Sequence, residues 1–171
     1  SSYMAEQGFR VVGLDRSEEA LAEARNRRNG LAGEVAARLV FWKGSIFEHD
    51  YSAHRYSAVV DCGFSHVFDA AARDGLEGLL SRILATGGRY YLLGFSVSSP
   101  LPKDPKKVTE EELRARFTAE RGWKFLHLEA GCSSLGLGRL HLSVVDSKVI
   151  PPALHEGAYQ VGISGWRELE A

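Results

Sequence analysis

Residues 10–25, RVVGLDRSEEALAEAR, constrain the fold more than any other stretch of the chain. Val11, Val12 and Leu14 make a short apolar run of the kind found in strands buried on both faces. The run stops at Asp15-Arg16. Ser17 then stands where a helix N-cap stands, with Glu18 and Glu19 in the first turn, where the helix dipole favours negative charge. Ala20, Leu21 and Ala24 give the helix its apolar stripe, and Asn29-Gly30 ends it. A strand covered on both faces and followed at once by a helix is half of a βαβ unit, so the rest of the chain is expected to supply parallel neighbours.

It does so repeatedly. RLVFW (38–42) reads as a second strand running into Lys43-Gly44-Ser45, and SAVV (57–60) as a third ending at Asp61. Asp69 is placed to cap a helix whose apolar face is Leu76, Leu79, Leu80, Ile83 and Leu84, at i, i+3, i+4, i+7 and i+8. Gly87-Gly88 is expected to stop that helix, and RYYLLGFS (89–96) to form a fourth strand. The stretch 96–107 carries three of the five prolines and reads as a loop. Thr109 and Glu112 predict a capping box for a helix with Leu113 and Phe117 inside. Trp123–Leu128 and Arg139–Val145 read as two last strands with no helix between them, hence an antiparallel pair. The tail is less patterned, although AYQVGIS (158–164) has the composition of a strand. The expected fold is α/β: a Rossmann-like, mostly parallel sheet with helices on both faces and a C-terminal antiparallel pair. It is read as one domain over 1–150, with 151–171 as a tail.

Composition excludes several function classes. With 21 basic and 22 acidic residues the net charge is −1, which argues against a nucleic-acid grip by bulk electrostatics. No apolar run approaches the roughly 20 residues that span a bilayer, and no signal peptide is visible, so a cytoplasmic location is expected. Cys62 and Cys132 make no disulfide framework. Together with His66 and His141 they match no tight zinc-ligand spacing, and no metal site is expected.

Three stretches in order resemble class I S-adenosylmethionine-dependent methyltransferases. GFRVVGLDRSEEALAEAR (8–25) resembles that family's second strand, its ribose-binding acid and the following helix. YSAVVDCGFSHVF (56–68) resembles the fourth strand and the motif after it, and LATGGRYYLLGFS (84–96) the double-glycine turn and fifth strand. The D-x-G-x-x-H-V-F form of the middle stretch is most similar to the small-molecule, thiopurine-methyltransferase-like branch. The resemblance covers residues 3 to about 130 and implies S-adenosylmethionine as cofactor and a small-molecule methyl acceptor.

Asp15 is the strongest candidate. A carboxylate at the carboxyl end of a parallel strand can accept both ribose hydroxyls, in the crevice where open α/β sheets bind ligands. Arg16 beside it is placed either to cover the adenine or to sit in solvent. Asp61 also ends a strand, with two readings of equal weight: a contact to the cofactor amino group or substrate, or a turn aspartate bonding to nearby backbone N–H groups. Gly63 permits close backbone approach to a ligand. Where the family often carries an acid after its third strand this chain has Ser45, while Ile46 is expected to pack on the adenine ring. His66 is the candidate general base, set against a packing role. The acceptor pocket is expected from loops 63–70, 96–108 and 131–138.

The resemblance also places the family's central first strand and glycine-rich loop just before Ser1. Three outcomes follow: a truncated natural protein, neighbouring strands that close up, or replacement by the tail strand, in cis or swapped from a second subunit. Methyl transfer to a small molecule is the first reading. The second is a scaffold that has lost its cofactor and serves as a dimeric interaction module or carries another activity such as hydrolysis. Expected partners are therefore a small-molecule substrate and a homodimer made through the unpaired sheet edge or a swapped tail, with no nucleic acid and no membrane.

Overall fold

A computed structural model describes residues 1–52, 55–95, 108–132, 139–147 and 159–164; for His66, Gly94, Phe95 and everything from Glu129 onward it describes backbone only. The apolar runs all become strands of one sheet. A short helix α1 (Ser2–Glu6) leads into β1 (Arg10–Asp15), then α2 (Glu18–Asn29), α3 (Gly33–Ala36) and β2 (Leu39–Lys43). Next come β3 (Tyr56–Cys62), a 3-10 turn (Ser65–Val67), α4 (Ala70–Ile83) and β4 (Leu84–Phe95). Helix α5 (Glu110–Arg116) and strands β5 (Trp123–Cys132), β6 (Arg139–Ser147) and β7 (Tyr159–Ser164) complete the described chain.

The caps form as the sequence predicts. Ser17 Oγ accepts from Ala20 N–H at 3.2 Å, and Asp69 Oδ1 from Ala72 N–H at 2.8 Å. Thr109 Oγ1 accepts from Glu112 N–H at 3.0 Å. The reciprocal half of that capping box is replaced, because the Glu112 carboxylate binds Arg73 and Arg116 instead. One boundary differs from expectation. Helix α4 ends at Ile83, and β4 starts at Leu84, so Gly87 and Gly88 lie inside the strand and do not stop the helix. Their service is to the sheet. Leu84 pairs with Tyr56 across an irregularity in the β3–β4 ladder, and a Cβ on Gly88 would lie 2.8 Å from Ala85 O and 3.0 Å from Tyr56 O. Only glycine allows that approach.

The strand order is β2-β1-β7-β3-β4-β6-β5. Strands β2, β1, β7, β3 and β4 run parallel, whereas β6 is antiparallel to both β4 and β5, as expected of the C-terminal pair. Between β1 and β3, where the family comparison leaves a gap, lies the chain's own tail strand. β7 pairs with β1 from Arg10↔Tyr159 to Leu14↔Ile163, and with β3 from Ala58↔Gln160 to Cys62↔Ser164. The neighbours do not close up. Replacement occurs in cis.

Side-chain alternation along the strands feeds two cores. Val12, Leu14, Val59, Tyr90 and Leu92 pack with the α4 stripe and with Leu113, Phe117 and Trp123 on one face. Val11 and Leu39 pack with Ala5 of α1 and, partly buried, Val35 of α3 on the other. All five stripe residues of the α4 segment are buried, Leu80 completely. Among the described residues, no helix is long and apolar enough to cross a membrane.

Candidate functional site

The parallel strands end together along one edge. Leu14, Ile163, Asp61 and Leu92 stand side by side in the ladder, followed one residue later by Ser164, Cys62 and Leu93. Asp15 therefore stands on the rim of a crevice bounded by β1, β7 and β3. It is half-buried, and its Oδ1 accepts from Ser17 N–H at 2.9 Å, which orients the carboxylate at the strand-to-helix turn. Arg16 beside it is exposed.

Asp61 is only 1 % exposed. Its carboxylate takes up the loop that follows: Oδ1 accepts from Phe64 N–H at 2.8 Å, and both oxygens accept from Ser65 N–H at 3.2 Å. Tyr90 of β4 donates its hydroxyl to Oδ2 at 2.7 Å. Burial raises the Asp61 pKa above its ordinary value, against the pull of Tyr90 and the two backbone donors. Burial, and then the neighbouring Asp61 charge, hold the Tyr90 phenol protonated. Of the two roles the sequence allows Asp61, the structure displays that of a turn residue, here fully desolvated.

The same loop is braced from behind. Arg73 of α4, itself buried, donates from Nε to Ser65 O at 3.1 Å and pairs with Glu112 Oε1 of α5 at 2.7 Å. Arg116 shares that carboxylate at 2.7 Å and reaches Asp74 at 3.0 Å. Burial would raise the Glu112 pKa, but Arg116 and Arg73 together hold it below the usual carboxylate range. Ser65 Oγ makes no hydrogen bond and lines a small cavity with Arg73, Tyr90, Val108, Arg116 and Phe117. Gly63 begins the loop at φ +74°, in the left-handed region, and its N–H bonds to Leu93 O at 2.8 Å. His66 lies on the 3-10 turn, and its side chain is outside the described residues, as are most of loops 96–108 and 131–138.

The loop after β2 departs from a simple adenine shelf. Ile46 is 1 % exposed and belongs to the main core, where its carbonyl accepts from Tyr51 Oη at 3.0 Å. Ser45 Oγ is engaged locally by Phe47 N–H at 3.2 Å. The aromatic surface at this strand end comes from Trp42 and His49, stacked at 3.7 Å between ring centroids and 26° between planes. Phe47, Phe68 and Phe64 form a second cluster, with centroids 5.5 and 4.8 Å apart, linking this loop to the one after β3. Sequence reasoning missed Trp42, His49, Tyr90 and Arg73. Trp42 had a signal, as a large aromatic just before the end of a parallel strand. Tyr90 and Arg73 had none, since their partners lie far away in the chain.

No protein-family model matches the chain. Solved structures do. A glycopeptide N-methyltransferase, MtfA, superposes with a TM-score of 0.66 at 19% identity, over 88% of this chain and 78% of that one. The CcbJ methyltransferase from Streptomyces caelestis gives 0.70 at 14% identity, over 85% and 78%. The 1,6-didemethyltoxoflavin-N1-methyltransferase from Burkholderia thailandensis, solved with its substrate and S-adenosylhomocysteine, gives 0.68 at 19% identity, over 86% and 65%. The fold is that of the S-adenosylmethionine-dependent methyltransferases. At these identities the likeness is one of architecture, and the site must be argued from its own residues.

Proposed function

We propose that this chain binds S-adenosylmethionine in the crevice between β1 and β3 and transfers its methyl group to a small-molecule acceptor. The observation that carries the reading is Asp15: a half-buried carboxylate at the carboxyl end of a central parallel strand, in a sheet whose fold neighbours are methyltransferases. The residues present suit such a cofactor. Asp15 is placed for the ribose hydroxyls, with Oδ1 already fixed by Ser17 and no hydrogen bond to Oδ2 among the described residues. Trp42 and His49 offer an aromatic surface for the adenine, and Gly63, lacking a Cβ, leaves backbone open at the mouth of the crevice.

Bound S-adenosylmethionine would supply an electrophilic methyl group on a sulfonium. The protein's own task is then to hold the acceptor in line and exclude water. Phe64 and Phe68, on the loop braced by Asp61 and Arg73, are placed to wall the acceptor pocket. The D-x-G-x-x-H-V-F signature at 61–68 favours an acceptor of the kind used by the thiopurine-methyltransferase-like branch. Calorimetric titration with S-adenosylmethionine and S-adenosylhomocysteine tests the reading. Binding is expected, and Asp15→Ala is expected to weaken it more than tenfold, or over about 1.4 kcal/mol. Unchanged affinity in that variant would remove the assignment. The engagement of Asp61 by its own loop favours a second reading, a scaffold without cofactor that serves as an interaction module, and wild-type chain that fails to bind either ligand selects it.

A further inference from the structure

The place of β7 in the sheet has a consequence for assembly. Among the described residues, β7 is the only hydrogen-bonded link between the β2-β1 pair and the β3-β4-β6-β5 sheet. The two strands flanking it are core strands: Val11, Val12, Leu14 and Val59 are all at most 4 % exposed. An empty slot would leave two unpaired edges in the middle of the molecule, each a template for an incoming strand. The slot is thus a binding site for one extended segment that pairs in parallel on both sides over five residues.

Its occupant is held on a long tether. Strand β6 ends at the same edge of the sheet where β7 begins, since Asp146, Arg89, Ala58 and Gln160 stand level across the ladder. The connection must cross three strand spacings, about 14 Å. The eleven residues 148–158 reach roughly 36 Å when extended. The tether is therefore more than twice as long as closure within one copy requires. β7 is also the last described element, so withdrawing it threads no other part of the sheet. Its sequence, Tyr-Gln-Val-Gly-Ile-Ser, has no charge and no proline, the two features that commonly keep a free strand from pairing elsewhere.

We propose that the slot between β1 and β3 accepts Tyr159–Ser164 from a second copy of the chain, giving a dimer joined by reciprocal exchange of β7. The pairing within each half of the dimer is the same as in the monomer, so the equilibrium between them is set by tether length and concentration.

The test uses two full-length chains, both carrying Cys62→Ser and Cys132→Ser. One also carries Gly13→Cys and the other Gly162→Cys, because these glycines are ladder partners. Refolded together at millimolar concentration and oxidised, they are expected to yield a covalent heterodimer, a bond that forms only if the β7 of one copy lies against the β1 of the other. A single chain with both cysteines shows that the geometry allows the bond. Its closure within one copy, with no heterodimer from the mixed chains, overturns the proposal. Independently, cutting the 148–158 tether to two residues limits its reach to about 10 Å, less than the 14 Å needed. That variant is expected to be an obligate dimer by light scattering; a folded monomer overturns the proposal, and so does a chain that cannot fold at any concentration.

Discussion

Tyr90→Phe removes one oxygen and tests the buried centre behind the crevice. Tyr90 is 2 % exposed and donates to Asp61 Oδ2 at 2.7 Å. The magnitude depends on the charge of the acceptor: about 0.5–1.5 kcal/mol for a neutral partner and about 1.5–3 kcal/mol for an ionised one. Burial holds the folded-state pKa of Asp61 above its ordinary value of 3.8, with Tyr90 the foremost group pulling it back down. Below that ordinary value the carboxyl is protonated in both folded and unfolded chains, and the stability it contributes is fully present. As pH rises through the higher folded-state pKa, that contribution is lost in the wild type. Without the Tyr90 hydroxyl, Asp61 ionises still less readily, so the variant loses more over the same interval. The expected difference in unfolding free energy is ~1 kcal/mol near pH 4, growing to ~2–3 kcal/mol near pH 8. Denaturant unfolding of both proteins across this range measures it. A difference that is flat with pH, or larger at the acid end, would refute the account of Asp61 as a buried carboxyl stabilised by Tyr90.

Three other substitutions probe separate parts of the fold. Leu80→Ala empties a fully buried position of the α4 stripe and should cost about 2–5 kcal/mol at any pH, which also makes it the control for Tyr90→Phe. Gly63→Ala forces a side chain into φ +74° and should cost about 1–2 kcal/mol in thermal or denaturant unfolding; an unaltered midpoint would mean that the loop relaxes to another conformation. Val161→Pro removes an N–H from the middle of β7, where Val161 is ladder partner to both Val12 and Val59. Amide hydrogen exchange should speed up in β1 and β3 together, and preserved protection of Val11–Leu14 would show that β7 is not what joins them.

Much of the local structure was legible in the chain. The Ser17 and Asp69 caps, the α4 stripe and the apolar β1 run each depend on residues within a turn or two of one another, and each formed as read. Where local reading failed, a distant partner had intervened. Glu112 left its capping box because Arg73, on another helix, offered a buried guanidinium. Gly87-Gly88 fell inside a strand because Tyr56 needed the space beside Gly88. The candidate site divides the same way. Asp15 stands at a strand end that its own neighbours mark, whereas the partnership of Asp61 with Tyr90 joins different strands and left no trace in spacing.

The sequence by itself determined the alternation of strands and helices, and with it a parallel sheet covered on both faces, because periodicity and capping are properties of adjacent residues. Only the tertiary structure decided which strand fills the centre. Tyr159–Ser164 carries little local pattern, and its place between β1 and β3 comes from two main-chain ladders whose partners lie about a hundred or more residues upstream. Such pairing is specified by what the rest of the sheet leaves unsatisfied, and no window of sequence contains that information.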